Sequence, residues 1–151
     1  MKNIPSLFGC LLAGLALAGC AGSRPAGLGV KEGRLAPCPD TPNCVRSQEQ
    51  TGSHAIAPLV FAGDSAMAFN RLRDLLRTRA DTTLVEEAPG YLRVEFRTNL
   101  GFVDDGEFLL DEAALRIHLR SAARLGYWDL GKNRRRLEEI RSAFNQGGAA
   151  P

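Results

Sequence analysis

The sequence predicts an α+β domain, a four-stranded antiparallel sheet with two helices packed on one face. Three observations predict it. Apolar residues recur at helical spacing in two separated stretches, one opening near Ser65 and one near Lys132. Between them lie four segments that read as strands, the second and fourth with apolar residues alternating with charged or polar ones. The connections between these segments are short, and that favours an antiparallel meander whose apolar face both helices cover.

Each element has its own justification. Gly63-Asp64-Ser65 supplies N-cap chemistry for a first helix running to about Arg79. Its apolar stripe is Ala68, Phe69, Leu72, Leu75 and Leu76, with Arg71, Arg73, Asp74 and Arg77 largely outside. Thr82 to Ala88 reads as a strand, Pro89-Gly90 as a turn and Tyr91 to Thr98 as a second strand. In the second, Leu92, Val94 and Phe96 alternate with Arg93, Glu95 and Arg97 without a break. Glu107 to Asp111 gives a third strand, and Leu115, Ile117 and Leu119 mark a fourth. The last helix runs from about Lys132 to Phe144, its stripe made by Leu137, Ile140 and Phe144. The uncovered face of the sheet is expected to display Arg93, Glu95, Arg97, Glu107, Asp111, Arg116, His118 and Arg120.

Composition bounds the function. The 151 residues allow one compact domain and little more. Nineteen basic against seventeen acidic side chains give a net charge of +2, too balanced to argue for a nucleic-acid surface. Sixteen of the basic residues are Arg and three are Lys. That skew favours planar, two-pronged ion pairing over simple positive charge.

The first residues read as an address. Lys2 precedes an almost wholly apolar run from Leu7 to Ala18, long enough for a secretory h-region and too short to span a bilayer. The run ends in Leu17-Ala18-Gly19-Cys20, which resembles a bacterial lipobox. The resemblance implies cleavage after residue 19, acylation of Cys20 and attachment to a membrane through that lipid. Ala21 in the next position implies release to the periplasmic face of the outer membrane. The expected organisation is a lipoprotein signal peptide over 1–19, a flexible Gly/Ala/Pro-rich tether over 20–36, a single domain over 37–146 and a frayed tail over 147–151.

Cys38 and Cys44 enclose a short segment holding Pro39 and Pro42. In an exported chain a disulfide is the first reading of this pair. A zinc site or a redox pair is the rival, but His54 and His118 lie at no ligand spacing, and the pair is not Cys-x-x-Cys.

The charged segments need an explanation. Lys132, Arg134, Arg135 and Arg136 crowd the start of the last helix, where the macrodipole is already positive. Either Asp104, Asp105, Glu107 and Asp129 neutralise them within the protein, or an external anion does. Residues 97 to 141 hold nine basic and eight acidic groups, so internal neutralisation is nearly complete. Arg134 with Glu138 and Arg135 with Glu139 have the spacing of helix ion pairs. Arg120 and Arg124 leave the fourth strand at the edge where Asp104 and Asp105 precede the third, and these groups are expected to meet there. Asn133 falls next to the apolar stripe and is expected to be buried and hydrogen-bonded to nearby loop backbone. Tyr127 and Trp128 are expected at the core or its rim, and His118 as a solvated or ion-paired group.

Signals for catalysis are weak. Ser121 has no evident base, and Gly101, Gly106, Gly126 and Gly131 form no phosphate-cradling fingerprint, so no cofactor is expected. Asp104, Asp105 and Glu107 could offer hard oxygens to a divalent ion, although their spacing matches no calcium loop. Two readings follow. One is a non-catalytic, lipid-anchored envelope domain binding an anionic ligand or another envelope protein through its Arg/Asp-rich edge. The alternative is a metal-dependent hydrolase using those three carboxylates, with Arg120 or Arg124 stabilising developing negative charge.

Four segments in order carry a family resemblance: Cys38-Pro39-Asp40-Thr41-Pro42-Asn43-Cys44-Val45, Gly101-Phe102-Val103-Asp104-Asp105-Gly106-Glu107-Phe108, Arg120-Ser121-Ala122-Ala123-Arg124, and Gly131-Lys132-Asn133-Arg134-Arg135-Arg136. Together they resemble the domain-of-unknown-function family numbered 1499, over about residues 37 to 144. The resemblance implies a single exported domain and no established activity. Gly106 stands where the family pattern favours an apolar residue, which predicts a looser start to the third strand.

Overall fold

The computed structural model describes residues 22–49 and 51–148. The signal segment, Cys20 and residues 149–151 of the expected tail lie outside the described residues. The element order is β1 (Cys44–Arg46), β2 (Leu59–Val60), α1 (Ser65–Thr78), β3 (Thr82–Ala88), β4 (Tyr91–Arg97), β5 (Val103–Asp111), β6 (Arg116–Ala123) and α2 (Lys132–Gln146).

The expected meander is present as β3-β4-β5-β6, every pair antiparallel. The sheet has six strands rather than four, because β1 and β2 lie one after the other along the remaining edge of β6. These strands have three and two residues, too short for an alternating pattern to register in sequence. The third strand of the meander, β5, opens at Val103 instead of Glu107, which takes Asp104 and Asp105 out of a loop and into the pleat. Ser121 to Ala123 likewise continue β6, whereas Leu115 sits in the preceding turn with φ 49°.

Both helices cover one face. Asp64 caps α1 by accepting a hydrogen bond from the Met67 amide at 2.7 Å. Ala68, Leu72 and Leu76 of α1, with Leu137, Ile140 and Phe144 of α2, pack on Leu92, Val94, Phe96, Phe108, Ile117 and Leu119. Gly106 tightens this face rather than loosening it. A Cβ there would lie 2.3 Å from Phe96 Cε2 and 2.8 Å from Val94 Cγ2, so the missing side chain is what admits the Phe96 ring.

The opposite face carries the expected charges; Arg97 at its border is exposed, but its middle is not open to water. The segment expected as a flexible tether is laid against it from residue 22 onward. The Arg24 guanidinium bonds Glu95, the Gly29 amide donates to Glu107 at 2.7 Å, and Leu35 is buried. Glu107, Asp105 and Arg120 are therefore interior groups.

Candidate functional site

In β5 the pleat sends consecutive residues to opposite faces. Asp104 points toward the helices, and Asp105 and Glu107 point away from them. Each meets its own guanidinium. Arg136 Nη1 donates to Asp104 at 2.8 Å, Arg124 grips Asp105 through Nε at 2.8 Å and Nη2 at 2.7 Å, and Arg120 lies 3.3 Å from Glu107. The three carboxylates offered above as a metal set thus lie on two sides of a sheet and cannot converge on one ion. Among the described residues no three His, Cys, Asp or Glu side chains gather as metal ligands.

On the face away from the helices the pairs link into a chain. Arg124 also donates to Glu95 at 2.6 Å, and Glu95 accepts from Arg24 as well. Burial acts to raise the Glu95 carboxyl, but the hydrogen bonds from Arg124 and Arg24 outweigh it and hold the group below its ordinary value. Tyr91 donates its hydroxyl to Glu107 at 2.8 Å, and burial together with that carboxylate raises the phenol strongly. Burial lowers Arg120 despite Glu107 beside it. His118 is part-buried, with Nε2 3.6 Å from Asp111 and Nδ1 3.1 Å from the Ser47 hydroxyl, and burial, outweighing Asp111, lowers it, which disfavours the charged ring an ion pair would need.

On the helix side Asn133 is the hub. Its carbonyl accepts from the Ser121 hydroxyl at 2.5 Å and Arg136 Nη1 at 3.2 Å. Its amide donates to the Asn43 backbone at 3.2 Å and to Asp129 at 2.9 Å. Both donors and both lone pairs of the amide are used. Asp129 also resolves the helix-terminus problem, accepting from the Gly131 amide at 2.9 Å and the Asn133 amide at 2.7 Å. Arg136 sits over the Phe96 ring at 4.5 Å and approaches Asp81 at 3.5 Å. Desolvation raises the Asp104 carboxyl even with Arg136 beside it.

Arg134 and Arg135 do not join this lattice. Arg134 donates to the Ser53 carbonyl at 2.8 Å and Arg135 to the Leu130 carbonyl at 2.7 Å. Their expected helix partners go elsewhere, Glu138 to Arg141 at 2.8 Å and Glu139 to Arg79 at 3.4 Å. The sequence reading also missed Arg24, Asn43 and Tyr91, whose roles depend on chain segments brought together by folding.

Cys38 and Cys44 form the expected disulfide, with Cα atoms 5.7 Å apart. It closes the segment that holds Asn43, whose side-chain amide donates to the Gly126 carbonyl at 2.5 Å. The clip therefore braces the loop between β6 and α2.

That loop and the one between β4 and β5 form the open feature of this end. They enclose a groove of about 400 Å³ lined by Leu100, Phe102, Leu125, Trp128 and Leu130, with Asp104, Asp129 and Lys132 among its polar groups. Six of the ten exposed large apolar side chains among the described residues are on these two loops: Leu100, Phe102, Leu125, Tyr127, Trp128 and Leu130. Tyr127 and Trp128 are thus outside the core, contrary to the expectation that they pack at it or on its rim. The signal available in sequence was the run of bulky apolar residues beside Gly101 and Gly126, positions that are hard to bury in a regular element.

No curated protein and no solved structure matches the chain. The sequence model of a protein family of unknown function, DUF1499, matches residues 34–144 and so takes in the sheet, α1 and the lattice around Asn133 and Arg124. The chain belongs to the DUF1499 family.

Proposed function

We propose that the protein is a lipid-anchored component of the bacterial cell envelope, acylated on Cys20, whose single domain works by binding and not by catalysis. The observation that carries the binding reading is a division of labour among polar and apolar groups. Asp104, Asp105, Glu107, Arg120, Arg124 and Arg136 are buried against one another, as in an architectural lattice, while the apolar groove at the same end is open. A guanidinium buried against its carboxylate is out of a ligand's reach, even though Arg120 Nε and Arg136 Nε and Nη2 lack a hydrogen-bond partner among the described residues, whereas an exposed apolar surface gains by being covered. Lys132 and Arg135 are exposed near this groove and suit an anionic ligand or an acidic envelope protein.

The disulfide agrees with export to an oxidising compartment. The apolar run ending in Leu17-Ala18-Gly19-Cys20 marks Cys20 for the acyl anchor, and Ala21 favours the periplasmic face of the outer membrane. Growth with radiolabelled palmitate tests this. Label is expected in the wild type, which fractionates with the outer membrane, and not in Cys20→Ser. An unlabelled wild type overturns the anchor.

A further inference from the structure

We infer that the two apolar loops, 98–102 and 124–131, are seated in the membrane surface beside the lipid anchor, so that the domain holds a fixed orientation on the bilayer. The inference rests on acylation of Cys20, and what it adds is the partner of the groove end: the phospholipid surface itself.

The first argument is where the chain emerges. Gly22 is packed against the loop that follows β6, for a Cβ built on it would lie 3.1 Å from both Arg124 Cβ and Leu125 Cγ. Cys20 is two residues upstream, and two residues span at most about 7 Å. The described chain therefore begins, at Gly22, next to Leu125 and on the same end as the groove, within that reach of the residue to be acylated. The Arg24–Glu95 pair and the Gly29–Glu107 hydrogen bond hold the following segment on the sheet and so fix where the chain reaches this end.

The second argument is that the apolar side chains are held outward by ordered backbone. Leu100, Tyr127, Trp128 and Leu130 are 80%, 70%, 64% and 64% exposed. Around Leu100 the chain is closed by the Thr98 amide donating to Phe102 O and the Gly101 amide donating to Thr98 O, both at 2.9 Å. The other loop is tied by Asn43 at Gly126, by Asp129 at the start of α2, and by Arg135 at the Leu130 carbonyl. Leu130 is held at φ 57°, a conformation costly for a leucine, with its side chain in water.

The third argument is chemical class. Trp and Tyr flanked by Leu and Phe suit the zone between head groups and acyl chains. Exposed Lys132 and Arg135 lie at the start of α2, next to the apolar loops, where anionic head groups would meet them.

Trp128 is the sole tryptophan of the chain and reports its own surroundings. The acylated full chain is reconstituted in phosphatidylethanolamine–phosphatidylglycerol vesicles, and Trp128 emission is quenched in turn by aqueous iodide and by brominated phospholipid. Mass spectrometry reads the acyl group on Cys20 in the same sample. Seated loops predict strong quenching by the brominated lipid and an iodide quenching constant severalfold below that of free tryptophan. Leu100→Asp with Leu130→Asp is expected to reverse both. Leu115→Asp, at the far end of the sheet, is expected to change neither. Acylated protein whose Trp128 is quenched by iodide and not by the lipid overturns the inference, leaves the anchor standing and assigns the groove to a protein partner. Protein with no acyl group on Cys20 overturns the anchor, and the seating falls with it.

Discussion

Asp104 and Asp105 are consecutive in the chain, yet Arg136 holds the first on the helix side of the sheet at 2.8 Å and Arg124 holds the second on the other side at 2.7 Å. The alternation of a strand turns what looks in sequence like one acidic cluster into two separate anchors, Asp104 for α2 and Asp105 for Arg124, which shares Glu95 with Arg24 of the N-terminal segment. The lattice thereby clamps both layers laid on the sheet.

Removing one partner of a buried pair leaves the other charged and without compensation. Arg136→Ala is expected to destabilise the protein by about 3–5 kcal/mol. Arg136→Met combined with Asp104→Leu is expected to recover most of that loss, since no lone charge remains. The midpoint of urea unfolding measures both. A double variant no more stable than the single one would show that the ion pair itself, and not the orphaned charge, is what the fold needs.

Asn133 satisfies four partners with one side chain, so an apolar replacement of similar size strands several of them. Asn133→Leu is expected to cost about 3 kcal/mol. It should also loosen the loop over 124–131, because Asp129 and Asn43 both bond this amide. Calorimetry reads the first effect and amide hydrogen exchange at Gly126 and Gly131 the second.

Gly106 leaves space that the Phe96 ring fills. Gly106→Val is expected to destabilise by about 1–3 kcal/mol through overpacking, even though valine is the better strand residue. Phe96→Leu in the same chain should recover part of the loss. Thermal melts of the two variants decide the matter, and a stable Gly106→Val would mean the ring moves aside at little cost.

Acid is expected to weaken the fold in two stages. Burial, outweighing Asp111, places the folded pKa of His118 below its ordinary 6.5. As pH falls through that value the unfolded chain takes up a proton that the folded one does not, so stability declines. Glu95 is held below its ordinary 4.5, and its contribution is present above that value and lost as pH falls through the folded one. Asp104 runs the other way, since burial raises it and protonation there favours the folded state. Unfolding midpoints across the acid range check this. His118→Gln is expected to flatten the upper stage and Glu95→Gln the lower.

The sequence by itself determined what local chemistry encodes. Periodicity located α1, α2, β4 and β6, because each repeats an apolar residue often enough to reveal its period, while β3 and the second half of β5 were legible from residue type and the turns beside them. The spacing of Cys38 and Cys44 pointed to the disulfide, and the position of Asn133 beside Leu137 to a buried amide. Only tertiary structure decided the remainder. β1 and β2 exist because β6 offers them an edge, and nothing within so few residues could announce that. Which guanidinium meets which carboxylate depends on the pleat, the start of β5 at Val103 and the rotation of α2, each of which a shift of one residue would reverse. The docking of residues 22–36 is also tertiary, for that Gly/Ala/Pro-rich stretch has little preference of its own and takes its path from Glu95 and Glu107. Exposure of Trp128 is a property of the same kind, set by the space left between two loops far apart in the chain.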